Sequence, residues 1–161
     1  CHLVHFPPEM RGSGAYDAPQ LRALLGDPAI TKLFHFGRFD IAMLYLHLGV
    51  LARPVFCTKI AAKLVRTYTD RQGLKELCRE LLGIELSKEQ QSSDWGAETL
   101  TPEQIRYAAN DVLFLHRLHE RLREMLEREH RLDLAEACFR FLPERALLDV
   151  AGWPEEDIFA H

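Results

Sequence analysis

The chain has 161 residues, 47% hydrophobic and 27% charged, which is enough for one domain with a sizeable core and too apolar for a disordered protein. A net charge of -4 argues against binding long nucleic acids through bulk charge, and four scattered cysteines without C-x-x-C spacing argue against zinc or thioredoxin-like sites and predict reduced thiols in the cytoplasm. The longest apolar stretch, residues 41–52, is too short to span a membrane.

The first half of the chain alternates between strand and helix patterns. Residues 1–6 alternate like a strand, and residues 18–27 indicate a short helix closed by a glycine. Residues 30–36 predict an apolar strand buried on both faces, and residues 38–50 predict a helix with Gly49 as its C-cap. The order strand, helix, strand, helix predicts an α/β fold.

The second half is dominated by helix patterns. A short extended stretch precedes a helix from about residue 58, and a further helix ends at Gly83. Residues 85–100 are polar and without periodicity, which predicts a loop. A long helix is predicted over residues 101–129, and the tail is expected to contain one or two short helices broken near Pro143.

Basic residues are concentrated between positions 59 and 75. This segment holds five bases and one acid, a local balance of +4 inside an acidic chain. The pattern is typical of a solvated helix face, and it is equally compatible with a rim that contacts phosphate groups.

The long helix has a well-marked start. Thr101 is placed as N-cap, Pro102 at the first helical position and Gln104 as the third residue of a capping box. In that phase Tyr107 and Asp111 lie four residues apart on one face, beside the apolar stripe. The stripe predicted to be buried consists of Ile105, Ala108, Val112, Leu115, Leu118, Leu122 and Met125.

Taken alone, the Tyr107–Asp111 pair is compatible with an ordinary helix edge or with a reactive site. Asp40 stands in the first turn of the helix that follows the buried strand, where it either complements the helix dipole or holds a metal. Two aspartates from separate helices would suit Mg²⁺ or Mn²⁺, and two such ions can assist phosphodiester hydrolysis. A tyrosine hydroxyl beside them could orient the attacking water.

Three motifs occur in order along the chain: "HFGRFD", "SSDW" and "YAAND". They resemble the DEDD superfamily of 3′–5′ exonucleases, in the tyrosine branch typified by ribonuclease D. In this resemblance Asp40 closes the second motif and Tyr107 and Asp111 form the third, while Arg106 stands where the histidine branch would need His. The resemblance implies a ribonuclease H-like α/β fold, with a mixed sheet flanked by helices, and catalysis by two divalent ions.

Longer segments narrow the resemblance. "ITKLFHFGRFD", "VFCTKIAAKLVRTYTDRQGLKE", "KEQQSSDW" and "GWPEEDIFAH" together resemble the nano-RNase C subgroup of bacterial ribonuclease D-like enzymes. This implies a cytoplasmic exoribonuclease that cleaves short RNA, chiefly dinucleotides, to nucleoside 5′-monophosphates, and an octameric, ring-like homo-oligomer. It leaves open whether DNA is also a substrate.

The superfamily's first motif, Asp-x-Glu on the first strand, is missing near the start of the sequence, and Asp17 is a poor substitute. Residues 1–6 resemble the family's third strand, so we expect a single exonuclease domain over residues 1–161 that is N-terminally incomplete. Such a chain should bind metal weakly and be nearly inactive. The alternative is a non-catalytic nucleic-acid-binding or scaffolding module that has lost the motif.

The resemblance also implies substrate contacts in three segments of the chain. Each segment also has a structural interpretation. The histidine could be a core residue with its hydrogen bonds satisfied, the basic residues could be a solvated helix face, and the loop residues could cap their own loop. Trp95 is expected to be a packing anchor, and residues 153–161 are expected to form an oligomer contact. The candidate substrate-binding residues are His35, Phe36, Arg38, Lys59, Lys63, Arg66, Gln91, Ser92 and Asp94.

Overall fold

A computed structural model describes residues 1–6, 16–87, 90 and 92–160. Within them the sheet is a parallel pair, β1 (Lys32–Phe34) and β2 (Val55–Cys57), with Leu33 opposite Phe56. Parallel strands require a crossover between them, and the helix α2 (Arg38–Leu48) provides it. The α/β class is therefore confirmed. The other helices are α1 (Pro19–Gly26), α3 (Thr58–Val65), α4 (Leu74–Leu77) with a π-helical turn (Cys78–Leu82), α5 (Pro102–Leu113), α6 (Leu115–Arg128) and α7 (Leu132–Ala151).

The core lies where α2, α3, α6 and α7 pack on one another and on the two strands. Its largest fully buried apolar side chains come from different elements, with Ile41 on α2, Leu77 on α4 and Leu118 on α6. Two helices that end at Gly49 and at Gly83, both in the left-handed region, confirm the predicted stops. No helix among the described residues is long and apolar enough to cross a membrane.

The start of α5 confirms the predicted capping box. The Gln104 amide donates to Thr101 Oγ1 at 3.2 Å, and the Thr101 amide donates to Gln104 Oε1 at 2.8 Å. Pro102 occupies the first turn, where its missing N–H removes no helical hydrogen bond. These local bonds set the phase that places Tyr107 and Asp111 on one face.

Residues 1–6 were expected to form a strand, and this expectation is wrong for the structure described. The segment has no regular secondary structure and is largely exposed, without a strand partner among the described residues. Only Phe6 packs, with its ring stacked on Tyr16 at 4.1 Å between centroids. An alternating pattern becomes a strand only when another strand satisfies its backbone groups. The strand expected over residues 30–36 is also shorter, and Leu33 and Phe34 are only half-buried.

The long helix predicted over residues 101–129 is two helices. The chain bends at Phe114, and the apolar stripe separates there into two parts. Ile105 and Val112 before the bend are 46% and 47% exposed, whereas Leu118 and Leu122 after it are fully buried. The bend turns α6 against α3 and the core, so burial of the stripe is confirmed for α6 and wrong for α5.

The break expected near Pro143 is also absent. Helix α7 runs through it for 20 residues, and Pro143 is fully buried within the helix. Proline removes one backbone hydrogen bond, but α7 packs on α2, α3 and β2 and has buried residues on both sides of that position. Packing of an apolar face stabilises a helix more than local propensity does, and here it outweighs the lost bond.

Candidate active site

A cleft of about 790 Å³ opens beyond the carboxyl end of β1. This is the position where ligands bind in open α/β sheets. Its polar side chains come from α2, α4 and α5, from the segment before α1, from the β1–α2 turn and from the loop after the π-helical turn, and its apolar lining includes side chains of α2. The polar lining residues are Tyr16, His35, Asp40, His47, Lys75, Ser87, Tyr107, Asn110 and Asp111.

Asp40 on α2 and Asp111 on α5 face the same cleft. Partial burial raises the pKa of Asp40, and the pKa of Asp111 is raised by partial burial and by the negative charge of Asp40. The two carboxylates therefore repel each other across the cleft. A cation between them would relieve this repulsion, and carboxylate oxygens are preferred ligands of Mg²⁺ and Mn²⁺.

The donor set for a metal is incomplete within the described part of the chain. No group of three His, Cys, Asp or Glu side chains there lies close enough to hold an ion. Asp40 and Asp111 fit a divalent ion as two of its oxygen ligands, and the Asn110 side chain lines the same wall. The geometry thus agrees with half of a metal site.

Tyr107 lies one helical turn before Asp111 and lines the same wall. Partial burial and the charge of Asp111 both raise the pKa of its phenol, so the hydroxyl is neutral near neutral pH. A neutral phenol can donate one hydrogen bond and accept others, which suits a group that orients a water molecule. The Tyr107 ring is 5.9 Å from the ring of Trp95, at an interplanar angle of 45°.

His35 enters the cleft as a neutral imidazole. Its Nδ1 is 2.9 Å from Thr58 Oγ1, and that hydroxyl donates to the carbonyl of Phe34 at 3.2 Å. The tautomer with its proton on Nδ1 satisfies both bonds, because Nδ1 then donates to the Thr58 hydroxyl while that hydroxyl donates to Phe34, and it leaves Nε2 as an acceptor. Burial, and secondly the charge of Lys59, lower the pKa of His35 to about 4, so it is uncharged near neutral pH.

Phe36 lies at the edge of the cleft, and its side chain is exposed to solvent. Its φ of 63° is in the left-handed region, which is unusual for a residue with a side chain, and its ring is 59% exposed. Lys59 Nζ lies 3.4 Å from the ring centroid in a cation–π contact. Gly37 is required next to it, because a Cβ there would lie 2.5 Å from the Cβ of Phe34. The exposed ring can stack on a base, and the lysine ammonium beside it can contact a phosphate.

Arg66 was expected to contact substrate phosphates, and this expectation is wrong. The side chain is fully buried. It donates to the carbonyl of Arg71 at 2.7 Å and to Gln72 Oε1 at 3.0 Å, and it forms an ion pair with Glu80 on the π-helical turn. The chain folds back over the guanidinium after α3, so this charge holds a turn together and is inaccessible to a ligand.

Arg38 was also expected to contact substrate, but it does not line the cleft. Its guanidinium makes two hydrogen bonds to Asp149, at 2.6 and 2.7 Å, and another to the carbonyl of Pro154. Arg145 donates to the same carboxylate at 2.9 Å. These cations hold the pKa of Asp149 below its usual range. Arg38 therefore joins the start of α2 to the end of α7.

The remaining candidate substrate-binding residues are not shown to line the cleft. Lys63 and Ser92 are exposed and outside the cleft lining, and Gln91 lies outside the described residues. Asp94 Oδ1 accepts a hydrogen bond from the amide of Gly96 at 2.9 Å, a turn within its own loop. Of the nine candidate substrate-binding residues, His35 and Phe36 line the cleft, with Lys59 beside Phe36.

Sequence reasoning missed two features of the site. Lys75 lines the cleft, and the surplus of bases around it was the available signal. Gln104 was assigned only to the helix cap, but its Nε2 also donates to Ser93 Oγ at 3.1 Å and to the carbonyl of Asp94 at 2.9 Å. No local pattern indicates those bonds, because their partners lie ten and eleven residues earlier in a loop.

Known proteins related in sequence include several ribonucleases D. A family model described as a 3′–5′ exonuclease matches residues 11–127. Ribonuclease D of Acidiphilium cryptum is 42% identical over 117 residues, which are 73% of this chain and 30% of that protein. The chain therefore spans under a third of that relative's length.

Solved structures agree with the sequence relatives. Brucella melitensis NrnC bound to pGG is 61% identical, with a TM-score of 0.87 over 90% of this chain and 70% of that one. The same protein with bound Mg²⁺ has a TM-score of 0.86 at 59% identity over the same shares. Escherichia coli RNase D has a TM-score of 0.75 at 31% identity, over 81% of this chain and 35% of that one.

Proposed function

Because this chain belongs to the 3′–5′ exonuclease family and has its ribonuclease H-like α/β fold, we propose that the complete protein is an exoribonuclease that cleaves short RNA, dinucleotides included. The observation that carries the proposal is the cleft in which Tyr107 and Asp111 of α5 meet Asp40 of α2. The NrnC structure with pGG, at 61% identity, supports a very short substrate. A non-catalytic module is not favoured, since the family match includes all three residues.

The reaction is hydrolysis of a phosphodiester. The oxygen of a water molecule bonds to phosphorus, the bond from phosphorus to the 3′ oxygen breaks, and the products are a nucleoside 5′-monophosphate and a 3′-hydroxyl. Tyr107, with its neutral hydroxyl, orients the water by hydrogen bonding. The Tyr107 ring packs against Trp95, and a hydroxyl that is already positioned lowers the entropy cost of orienting the water.

Asp40 and Asp111 are the proposed ligands of Mg²⁺ or Mn²⁺. Bound divalent ions would supply positive charge at the phosphate and at the attacking and leaving oxygens. Two ions need more ligands than two aspartates, and we propose that the remaining carboxylates are an Asp-x-Glu pair in a part of the protein outside these 161 residues. Mg²⁺ in an NrnC structure supports this choice of metal.

Substrate contacts are assigned to groups at the cleft. His35, uncharged near neutral pH, presents Nε2 as an acceptor for a hydroxyl or amino group of the nucleotide. Lys75 in the cleft and Lys59 at its edge are placed to attract phosphate oxygens. Phe36 offers an exposed ring on which a base can stack, an interaction that tolerates any base.

The C-terminal tail carries an exposed aromatic surface. Trp153 and Phe159 in the C-terminal tail are exposed, and Phe159 packs on Phe141 at 5.6 Å between ring centroids. Arg145 holds this tail by hydrogen bonds to the carbonyls of Trp153 and Pro154. A fixed aromatic surface of this kind supports a contact between copies in a homo-oligomer.

We also propose a cytoplasmic location, supported by four free cysteines.

The test is Asp111→Asn in the complete protein, assayed with pGG and Mg²⁺. Asparagine keeps the size of the side chain and removes its charge, so we expect turnover to fall by about 10³-fold or more, in line with the loss of a principal electrostatic group. Glu98→Gln, which removes an exposed carboxylate outside the cleft, is the matched control. Turnover by the Asp111 variant close to that of the control would refute the proposed mechanism.

A further inference from the structure

Gln104 connects two parts of the protein that the sequence keeps apart. Its Oε1 accepts the amide N–H of Thr101 at 2.8 Å, which completes the cap of α5. Its Nε2 donates to Ser93 Oγ at 3.1 Å and to the carbonyl of Asp94 at 2.9 Å. The residue is only 5% exposed. A buried carboxamide that uses both ends fixes the loop as firmly as it fixes the helix.

The loop so anchored is the SSDW loop, residues 92–95. Within and next to it, Ser93 Oγ donates to the carbonyl of Gln90 at 2.8 Å, and the Gly96 amide donates to Asp94 Oδ1 at 2.9 Å. These bonds fold the loop into consecutive turns. The side chain of Trp95, which follows the two residues held by Gln104, is thereby directed towards α5.

Trp95 contacts Tyr107, the residue proposed to orient the water. Its ring centroid lies 5.9 Å from that of Tyr107, at an interplanar angle of 45°, which is within the separation at which aromatic rings attract each other. Tyr107 is three residues after Gln104 and therefore on the same side of α5. The phenol ring is half-buried, and the loop side of its surroundings is supplied by Trp95.

We propose that Gln104 is a positioning residue for catalysis: through the SSDW loop it holds Trp95 against Tyr107 and so fixes the phenol hydroxyl in the cleft. This inference rests on the proposed function, because the orientation of Tyr107 matters only if its hydroxyl orients the water. The loop and the cap are one hydrogen-bonded unit, and this unit contacts the cleft residue Tyr107 through the tilted ring pair of Trp95 and Tyr107.

The two roles of Gln104 can be separated by substitution. Gln104→Glu keeps an oxygen for the Thr101 amide, since glutamate serves equally at this capping position. It removes the N–H donors and brings a carboxylate oxygen against two oxygen acceptors in the loop. Thr101→Ala is the matched control, because it removes the cap hydroxyl and leaves both donor bonds of Gln104 in place.

The measurements use the complete protein with pGG and Mg²⁺, together with hydrogen exchange of the peptide that covers the SSDW loop. For Gln104→Glu we expect faster exchange in the loop, kcat lower by about tenfold and KM changed by less than about twofold, as for a displaced catalytic group. For Thr101→Ala we expect loop exchange and kcat close to the parent protein. A kcat for Gln104→Glu equal to that of Thr101→Ala would overturn the inference.

Trp95 provides the second comparison. Trp95→Ala is expected to lower kcat about as much as Gln104→Glu, and Trp95→Phe to restore most of it, because phenylalanine keeps a ring against Tyr107. The double variant with Gln104→Glu and Trp95→Ala should be no slower than either single one, since both act through one contact. Additive losses in kcat would contradict the proposed connection.

The Asp111→Asn variant separates this inference from the function on which it rests. If that variant is inactive and Gln104→Glu turns over normally, the exonuclease mechanism holds and the positioning role is wrong. If Asp111→Asn retains normal turnover, the proposed mechanism fails and the positioning role fails with it.

Discussion

Helices α5 and α6 follow each other directly and share one apolar pattern, yet they serve different purposes. In α5 the apolar residues Ile105 and Val112 are about half exposed, and Asp111 faces the cleft. In α6 Leu118 and Leu122 are fully buried against α3 and the core. The difference arises at the bend, which turns only α6 inward. Residues of α5 should therefore affect activity more than stability, and residues of α6 stability more than activity.

The largest effect on stability is expected for Leu118→Ala. Its side chain is fully buried in α6, and truncation leaves a cavity as well as lost apolar burial, so the free energy of unfolding should fall by about 3 kcal/mol. Ile105→Ala in α5 should lower it by less than about 1 kcal/mol, because that side chain is nearly half exposed. Urea unfolding of both variants measures the difference. Equal losses would mean that the two helices do not differ as described.

The next effect is on turnover, from Tyr107→Phe. Phenylalanine keeps the ring beside Trp95 and removes the hydroxyl, so kcat should fall by about 10- to 100-fold while KM and the free energy of unfolding change little. Steady-state kinetics with pGG and Mg²⁺, followed by urea unfolding, test both parts. A kcat within about twofold of the parent would remove the hydroxyl from the mechanism.

The smallest effect is a gain in stability from Asp111→Asn. In the folded protein partial burial and the charge of Asp40 raise the pKa of Asp111 above its ordinary value of 3.8, so the ionised carboxylate is less stable folded than unfolded. This destabilisation is present above the folded pKa and disappears as the pH falls below 3.8. Without divalent ions at about pH 7, the Tm should rise by less than about 3 °C.

Glu98→Gln is the control for that measurement, since it removes an exposed carboxylate away from the cleft. The gain from Asp111→Asn should shrink as the pH falls from about 7 towards 4, because both carboxylates of the cleft then take up protons. A lower Tm for the Asp111 variant at neutral pH would contradict the repulsion between Asp40 and Asp111.

The basic segment, residues 59–75, also contains residues of one sequence pattern that differ in burial. By sequence, Lys59, Arg66 and Lys75 were equivalent members of one cluster. In the structure Lys59 covers an exposed ring at the edge of the cleft, Lys75 lines the cleft, and Arg66 is buried in a turn with Glu80. Charge composition predicted a local surplus correctly, but it could not assign roles, because burial depends on which distant segment folds over each side chain.

From the sequence alone one could predict the α/β class, the helix stops at Gly49 and Gly83, and the cap that sets the phase of Tyr107 and Asp111. These features depend on hydrogen bonds and backbone angles within a few residues, so neighbouring residue types are sufficient to specify them.

Tertiary packing determines where the long helix bends, that α7 continues through Pro143, and that residues 1–6 have no strand partner in the described chain. It also determines that Arg38 pairs with Asp149, 111 residues away, and that Gln104 holds the SSDW loop. Each of these outcomes depends on burial or hydrogen bonding between distant segments, whose free energy can exceed a local preference and leaves no mark in the local pattern.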